Sequence, residues 1–178
     1  MAHDGQDMTT KQNPILADLL SLTAAALPAI DDVLTRAKES VRAILEDDGR
    51  ISGKLIEENQ TAAHGLAWLA TYAQSLQQMQ NWAERLQADG KFGEVEQLLL
   101  QITFGEYLWQ IYGGIQMNQH EVVRAQDMGL SQDDLRALMV PSVMTLCDAG
   151  NTQAARLRLV ALMQEQSANI TVGASGLD

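Results

Sequence analysis

The amino-acid sequence predicts an all-α fold, an up-and-down bundle of four main helices with short additions. Ala, Leu and Gln dominate the composition, and these residues lose little side-chain freedom in a helix. Residues that favour strands are scarce, since aromatic side chains make up only 4% of the chain. Apolar residues recur at three- and four-residue spacing in several long segments, which is the pattern of helices buried on one face. The 178 residues suffice for one domain with its own core.

The chain is strongly acidic, and this charge argues against two classes of partner. The 23 acidic residues outnumber the 12 Lys and Arg, which gives a formal net charge of −11. Such a surface repels nucleic-acid phosphates and anionic membranes, so we expect neither as a partner. The single cysteine, Cys147, excludes an intrachain disulfide framework and favours a reducing, cytoplasmic setting.

Three parts follow one another along the chain. Residues 1–13 are predicted to be a disordered leader, because they are polar and carry no apolar pattern. Residues 14–166 are predicted to form the helical bundle domain. Residues 167–178 are small and mostly polar, which is typical of a linker between domains.

The bundle is predicted to begin with two helices. An apolar segment over residues 15–27 follows Asn13-Pro14, which suit a helix cap and first turn. Pro28 is expected to begin a second helix, because proline is tolerated in the first helical turn. Asp47-Asp48-Gly49 is expected to end that second helix.

The next helix is expected to be the longest, with Ser52 as its N-cap and Gly90 as its stop. Two adjacent apolar stripes give it a broad apolar sector, which predicts packing against at least two neighbours. The stripes are Ala62, Leu66, Leu69, Ala73, Leu76 and Ala83, and Trp68, Tyr72, Met79, Trp82 and Leu86.

Residues 92–112 form the most apolar stretch and are predicted to be a central helix that Gly113-Gly114 ends. A short helix is expected from Asn118, with Glu121 completing an Asn-x-x-Glu variant of the capping box.

Two more helix starts can be identified near the end of the chain. Ser131 and Asp134 predict one of them, and Pro141 is expected to kink or split the helix that follows. Asn151-Thr152 is expected to cap the last helix of the bundle.

Side chains that are suited to catalysis are few and isolated. Cys147 shares an apolar helical stripe with Val143 and Met144, which favours a small core residue over a reactive thiol. His64 lies in the longest predicted helix, where a partly buried, hydrogen-bonded histidine is the favoured interpretation. His120 is expected near a helix start and exposed.

Glu106 is the one acidic residue deep inside the most apolar helix. It is either a buried base with a raised pKa, or a side chain that emerges at the edge of the bundle or pairs with an arginine such as Arg85 or Arg124. The second interpretation is favoured. No metal site is expected, because a di-metal carboxylate bundle needs Glu-x-x-His pairs and the sequence contains none.

The segment Gln110-Ile111-Tyr112-Gly113-Gly114-Ile115 resembles the Gln-x-x-Gly-Gly-x-Gly turn near the C-terminus of acyl-CoA dehydrogenases. In that family the turn ends a helix of the C-terminal four-helix domain and approaches the FAD of a neighbouring subunit. Glycines there let a diphosphate come close to the backbone. Here Gln116 replaces the last glycine and Met117 the following aromatic residue. The resemblance therefore implies a degenerate flavin motif at Gln110, Gly113 and Gly114 that no longer touches the flavin.

Two longer segments carry a wider resemblance. QTAAHGLAWLATY over residues 60–72, and residues 90–114, which open with GKFGEVEQLLL, are similar to an N-terminal extension that precedes the catalytic body in one branch of this family. The resemblance covers roughly residues 16–178. It implies a non-catalytic accessory domain of a FAD-dependent oxidoreductase, with no cofactor in this chain. Residues 167–178 would lead into the dehydrogenase body of the same polypeptide.

The family resemblance also implies a role in assembly. Many acyl-CoA dehydrogenases are tetramers that bury helical surface between dimers. A fused domain similar to their C-terminal helical domain would cover that surface and favour a homodimer. The broad sector of the longest helix and an excess of methionines are what such docking would need. Six methionines suit an adaptable core or interface better than a cofactor site: Met79, Met117, Met128, Met139, Met144 and Met163.

Two other functions are compatible with the sequence. One is a free-standing helical protein-interaction module that is unrelated to flavoenzymes. The other is a small enzyme with a site at Glu106 and His64, although the two residues are not expected to converge. Isolated copies of the chain are also expected to self-associate.

Overall fold

The computed structural model describes residues 13–166, and these residues form a helical bundle. Seven α-helices lie in this range: α1 (Leu19–Leu45), α2 (Gly53–Glu58), α3 (Gln60–Ala88), α4 (Glu94–Gly113), α5 (Gln132–Leu138), α6 (Pro141–Ala149) and α7 (Gln153–Gln166). Two small hairpins join β1 (Glu46–Asp47) to β2 (Arg50–Ile51), and β3 (Ile115–Gln116) to β4 (Val122–Val123). A 3₁₀ helix spans Ala125–Met128. The predicted all-α bundle is confirmed, whereas most of the predicted leader and the whole linker lie outside the described residues.

Helix α1 is continuous, so the prediction that Pro28 begins a new helix is wrong. Buried side chains keep their three- and four-residue spacing on both sides of the proline, as Ala26 and Ile30 show. Pro28 itself lies on the exposed face. Proline has no N–H, so one helix carbonyl lacks its usual donor. Because this happens on the exposed face, water can bond to that carbonyl and the packed face is undisturbed.

The N-terminus of α1 also differs from the prediction, because the helix begins at Leu19 and not directly after Asn13-Pro14. The Asn13 side-chain oxygen accepts a hydrogen bond from the Ile15 N–H at 3.1 Å. Asparagine makes this contact to a backbone group two residues on in a turn. The contact therefore holds residues 13–15 as a turn that precedes the helix.

The helix does end at the predicted Asp47-Asp48-Gly49 segment, in a tight hairpin. Asp48 and Gly49 both have positive φ, at +49° and +77°. Two successive residues of this kind are typical of the two-residue turns that join antiparallel strands.

The longest predicted helix is interrupted once. Ser52 caps α2 by accepting from the Leu55 N–H, and Gly90 ends α3 with φ +68°, as predicted. Asn59 leaves the helical region at φ −125° and ψ 40°. Its side chain donates to the Leu55 carbonyl, which also accepts the helical bond from the Asn59 backbone N–H at 2.9 Å.

The broad apolar sector of α3 faces several neighbours, as predicted. The helix packs against α1, α4, the 3₁₀ helix and the β3–β4 hairpin. Leu69, Ala73, Leu76 and Ala83 are buried there. Much of this sector is therefore part of the internal core, although other members such as Trp82 are only partly buried, and its expected role in docking stays a prediction.

A hairpin replaces the short helix predicted after Asn118. Ile115 pairs with Val123, and the Asn118 and Glu121 side chains bond to each other across the turn. The Asn-x-x-Glu spacing therefore closes a hairpin turn. The buried Val123 supports the hairpin, because β-branched residues suit strands.

The remaining helix starts agree with the sequence. Ser131 and Asp134 form a reciprocal capping box on α5, and Pro141 splits off α6 as its first residue. Thr152 caps α7 by accepting from the Ala155 N–H at 3.1 Å.

Two glycines allow α4 and the end of α6 to approach closely. A Cβ on Gly105 would lie 2.7 Å from the Asn151 nitrogen, and one on Gly150 would lie 2.7 Å from the Gln101 carbonyl oxygen. Gln101 is fully buried beside them. Its amide nitrogen donates to the carbonyls of Pro14 and Gly150 and thereby joins the segment before α1 to this crossing.

Candidate functional site

The Gly-Gly turn (residues 110–115) is the segment that the sequence marks most specifically. Its two glycines have different physical roles. Gly114 has φ +130° and ψ 132°, and a Cβ there would lie 2.6 Å from the Val122 Cγ1. Gly113 remains in the helix, and a Cβ there would meet no atom within 4 Å. The conformation therefore requires glycine at Gly114 and leaves Gly113 open.

The first residue of the turn, Gln110, has both ends of its amide engaged within the bundle. Its oxygen accepts from the Tyr72 hydroxyl at 2.7 Å. Its nitrogen donates to the Glu106 Oε1, also at 2.7 Å. Gln110 thus links α3 to α4 and has its strongest polar groups already paired.

Glu106 continues this chain of hydrogen bonds to the start of α7. Its Oε2 accepts from the Asn151 amide at 2.6 Å. Asn151 in turn accepts from Arg156 through both its side-chain and its main-chain oxygen, at 2.7 and 2.8 Å. Glu106 is exposed at the bundle edge, as favoured from the sequence. Its partners are the two amides of Gln110 and Asn151, so of the two favoured alternatives the structure shows the edge position and not an arginine pair.

The hydroxyl end of this network is supported by stacked aromatic rings. Tyr72 and Tyr107 stack with their centroids 4.3 Å apart. Burial, followed by the nearby Tyr107 and Glu106 charges, raises the pKa of the Tyr72 hydroxyl. Tyr72 is therefore protonated near neutral pH and acts as a hydrogen-bond donor to Gln110.

His64 lies at the other end of the aromatic row on α3. Its Nε2 accepts from the Trp68 indole at 3.0 Å, and Trp68 meets Tyr72 edge to face. His64 is hydrogen-bonded as predicted, but it is exposed and not partly buried. Among residues 13–166 no hydrogen bond joins His64 to Glu106, so the structure gives no support to a catalytic pair.

The other two candidate side chains occupy different environments. Cys147 is buried with Val143, as predicted, whereas Met144 is exposed. Burial, and then the Asp148 charge, raises the pKa of the Cys147 thiol to about 11. The thiolate that a nucleophile needs is therefore scarce at neutral pH. His120 is exposed, but in the β3–β4 turn and not at a helix start.

Side chains of the bundle lie against the Gly-Gly turn. The Val122 Cγ1 lies 2.6 Å from the position that a Cβ on Gly114 would take. The Gln110 amide uses one of its two N–H donors for Glu106, and its oxygen accepts from Tyr72. In the described part of the chain, no buried side-chain nitrogen or oxygen lacks a hydrogen-bond partner, so no orphaned polar group marks a ligand position.

The described residues contain neither a metal-binding cluster nor a membrane-spanning helix. Within residues 13–166, no group of three or more His, Cys, Asp and Glu side chains is arranged to hold a metal ion. None of the helices that the structure describes has the length and apolar character needed to cross a bilayer.

Sequence reasoning missed one surface, the outward side of α7. Leu157, Val160 and Met163 are 62%, 51% and 48% exposed. The inward side of the helix packs on α4 through Ala155 and Leu162. The sequence indicates this surface, because the apolar residues of α7 are distributed all around the helix, whereas a surface helix is usually polar on one face.

Comparison with known proteins shows similarity to a part of one longer enzyme. No protein-family model matches the chain. The (2S)-methylsuccinyl-CoA dehydrogenase of Cereibacter sphaeroides is 50% identical to the chain over 165 residues, which are 93% of this chain and 29% of that enzyme. The resemblance to an extended acyl-CoA dehydrogenase is thereby confirmed as similarity to a part of one. The chain spans less than a third of the relative's length.

Proposed function

We propose that this chain is a non-catalytic helical accessory domain of a FAD-dependent acyl-CoA dehydrogenase of the methylsuccinyl-CoA type. In this proposal it precedes the dehydrogenase body in one polypeptide and acts in packing between subunits. The body binds FAD and the acyl-CoA substrate, and the enzyme acts in the cytoplasm, in the ethylmalonyl-CoA pathway. The complete enzyme is a homo-oligomer.

The observation that carries the proposal is the extent of the match. Half of the aligned residues are identical over nearly the whole chain, while less than a third of the relative takes part. A segment of this length is ample for a separate domain with its own core. The described residues supply such a core, which extends from Leu19 through α4 to Leu146.

The interior of the bundle supports a structural role for the one flavin-like motif. Gln110 joins α3 and α4, and Gly114 allows the chain to turn into the β3–β4 hairpin. Both features stabilise the fold without any ligand. These structural roles explain the motif in an accessory domain that does not bind flavin.

The role in packing rests on the family resemblance and on the apolar surface of the domain. A helical domain fused to the body can cover surface that tetrameric relatives bury between dimers. Apolar side chains that remain exposed after folding are suited to such a contact. Leu157 and Val160 are the clearest examples in the described residues.

The test is to remove from the Cereibacter sphaeroides enzyme the segment that aligns with this chain and to measure the mass of both proteins by sedimentation. The complete enzyme is expected to be a dimer, and the truncated one a larger assembly, because helical surface is uncovered. Bound flavin, read from its visible absorbance, reports whether the truncated body is folded. Addition of the 178-residue chain is expected to restore the dimer. A truncated enzyme that remains a flavin-loaded dimer contradicts the packing role.

A further inference from the structure

The outward side of α7 has the properties of a contact surface. We call it the α7 face and define it by Leu157, Val160 and Met163. Nine large apolar side chains are exposed in the described residues, and three of them lie on this 14-residue helix. Gln153 and Arg156 are exposed between them, so the outward side of α7 is mixed, with more large apolar side chains than a water-facing helix surface normally carries.

The attachment of α7 to the bundle involves one side of the helix. On its inward side Leu162 and Ala155 pack around Leu98 of α4. Arg158 anchors the same side through two contacts to the Glu94 carboxylate, at 2.6 and 2.7 Å. The helix is thus oriented firmly by one neighbour, with its remaining apolar side directed away from the bundle.

We propose that the α7 face is the surface on which the remainder of the longer polypeptide, the dehydrogenase body, docks. This inference rests on the proposed function and specifies the contact that it requires. The occupant follows from the relative, in which 71% of the polypeptide lies outside the aligned region. A matched stretch of 165 of the 178 residues includes nearly all of α7, so the same helix is expected next to such a body.

The size of the α7 face favours a tethered occupant over a second copy. Its three side chains expose on the order of 300 Å², whereas a stable interface between separate proteins buries roughly 800 Å² on each partner. Two chains that each carry a net charge of −11 also repel one another. A body in the same polypeptide has an effective concentration near the millimolar range, so a small apolar face suffices. In this proposal isolated copies do not associate stably through the α7 face, so the self-association expected from the sequence is replaced here by the expectation of a monomer.

The first experiment measures amide hydrogen exchange in the isolated 178-residue chain and in the intact Cereibacter sphaeroides enzyme. After correction for intrinsic rates, amides of α7 (Gln153–Gln166) are expected to exchange at least about tenfold more slowly in the enzyme, because the body covers them. Equal protection in both proteins overturns the proposal, including the case in which residues 167–178 already cover the helix. If protection appears on another surface of the aligned segment and not on α7, the accessory function survives and this docking face is wrong.

The second experiment distinguishes a second copy from the body. Sedimentation of the wild-type chain at micromolar concentration is compared with that of the double variant Leu157→Glu, Val160→Glu. Ile51→Glu is the matched control, because Ile51 is similarly exposed on the β1–β2 hairpin. All three proteins are expected to sediment as monomers with unchanged unfolding midpoints. A stable wild-type dimer that only the double variant dissociates shows that a second copy occupies the face and overturns the proposal.

Discussion

At the scale of single residues, the Gly-Gly turn shows how one motif combines two separate requirements. The positive φ of Gly114 lets the chain leave α4 and enter the β3–β4 hairpin. Gln110 bonds to Glu106, four residues earlier on the same helix, and helical spacing brings such a pair together. Its other partner, Tyr72 of α3, comes from tertiary packing, which local spacing does not encode.

Alanine substitutions at the two glycines are expected to have opposite effects. Gly114→Ala is expected to lower the free energy of unfolding by about 2–3 kcal/mol, because alanine is strained at φ +130° and its Cβ would overlap Val122. Gly113→Ala, the matched control, is expected to leave stability unchanged or raise it by up to about 1 kcal/mol, since it stays helical and meets no atom. Urea unfolding followed by circular dichroism measures both. Equal losses at the two positions would show that conformation at Gly114 is not the cause.

The buried thiol of Cys147 predicts a pH dependence of stability. Its pKa is raised to about 11 in the folded chain, above that of a thiol in an unfolded chain. The stabilisation is therefore complete below the unfolded thiol's pKa, near pH 8.5, and is lost as pH rises through about 11. We expect a decrease on the order of 3 kcal/mol in this window, because each pKa unit corresponds to about 1.4 kcal/mol. Cys147→Ala should unfold with a flatter pH profile, and identical profiles in parallel urea titrations would refute the assignment.

At the scale of elements, the sequence predicted helices well where a local signal fixes their ends. The Ser131 and Asp134 capping box and the first-turn position of Pro141 were both readable, because each acts within one turn of helix. Pro28 was misjudged because its effect depends on which face of α1 it occupies. Asn118 was misjudged because capping pairs and hairpin turns use the same side-chain bonds.

The crossing of α4 with the end of α6 gives a prediction at this scale. Gly105→Ala is expected to lower the free energy of unfolding by about 2–4 kcal/mol, because its Cβ would lie within 2.9 Å of backbone atoms of Asn151 and Leu146. Backbone atoms cannot rotate away, so the helices have to separate. Gly53→Ala is the control, since that position on α2 is open. Thermal unfolding compares the two variants, and a Gly105→Ala chain as stable as the control would contradict the close crossing.

At the scale of the whole molecule, the described residues fold around one main core and leave several large apolar side chains exposed. The sequence located the docking surface on the longest helix, much of whose apolar sector packs against α1 and α4. Tertiary contacts decide which apolar side chains remain exposed, so the sequence alone did not single out α7, where Leu157 and Val160 face outward. The proposed accessory role rests on these exposed side chains, on the Gly-Gly turn and on the similarity to a part of a longer enzyme.

A flavin titration of the purified 178-residue chain tests the proposed non-catalytic role. Because the Gln110 amide is bonded to Tyr72 and Glu106 and Val122 lies against Gly114, the chain is expected to remain colourless after mixing with FAD and gel filtration. It is likewise expected to show no dehydrogenase activity with acyl-CoA substrates. A yellow protein that retains one FAD per chain would contradict the account, because the Gly-Gly turn would then be a functional flavin site.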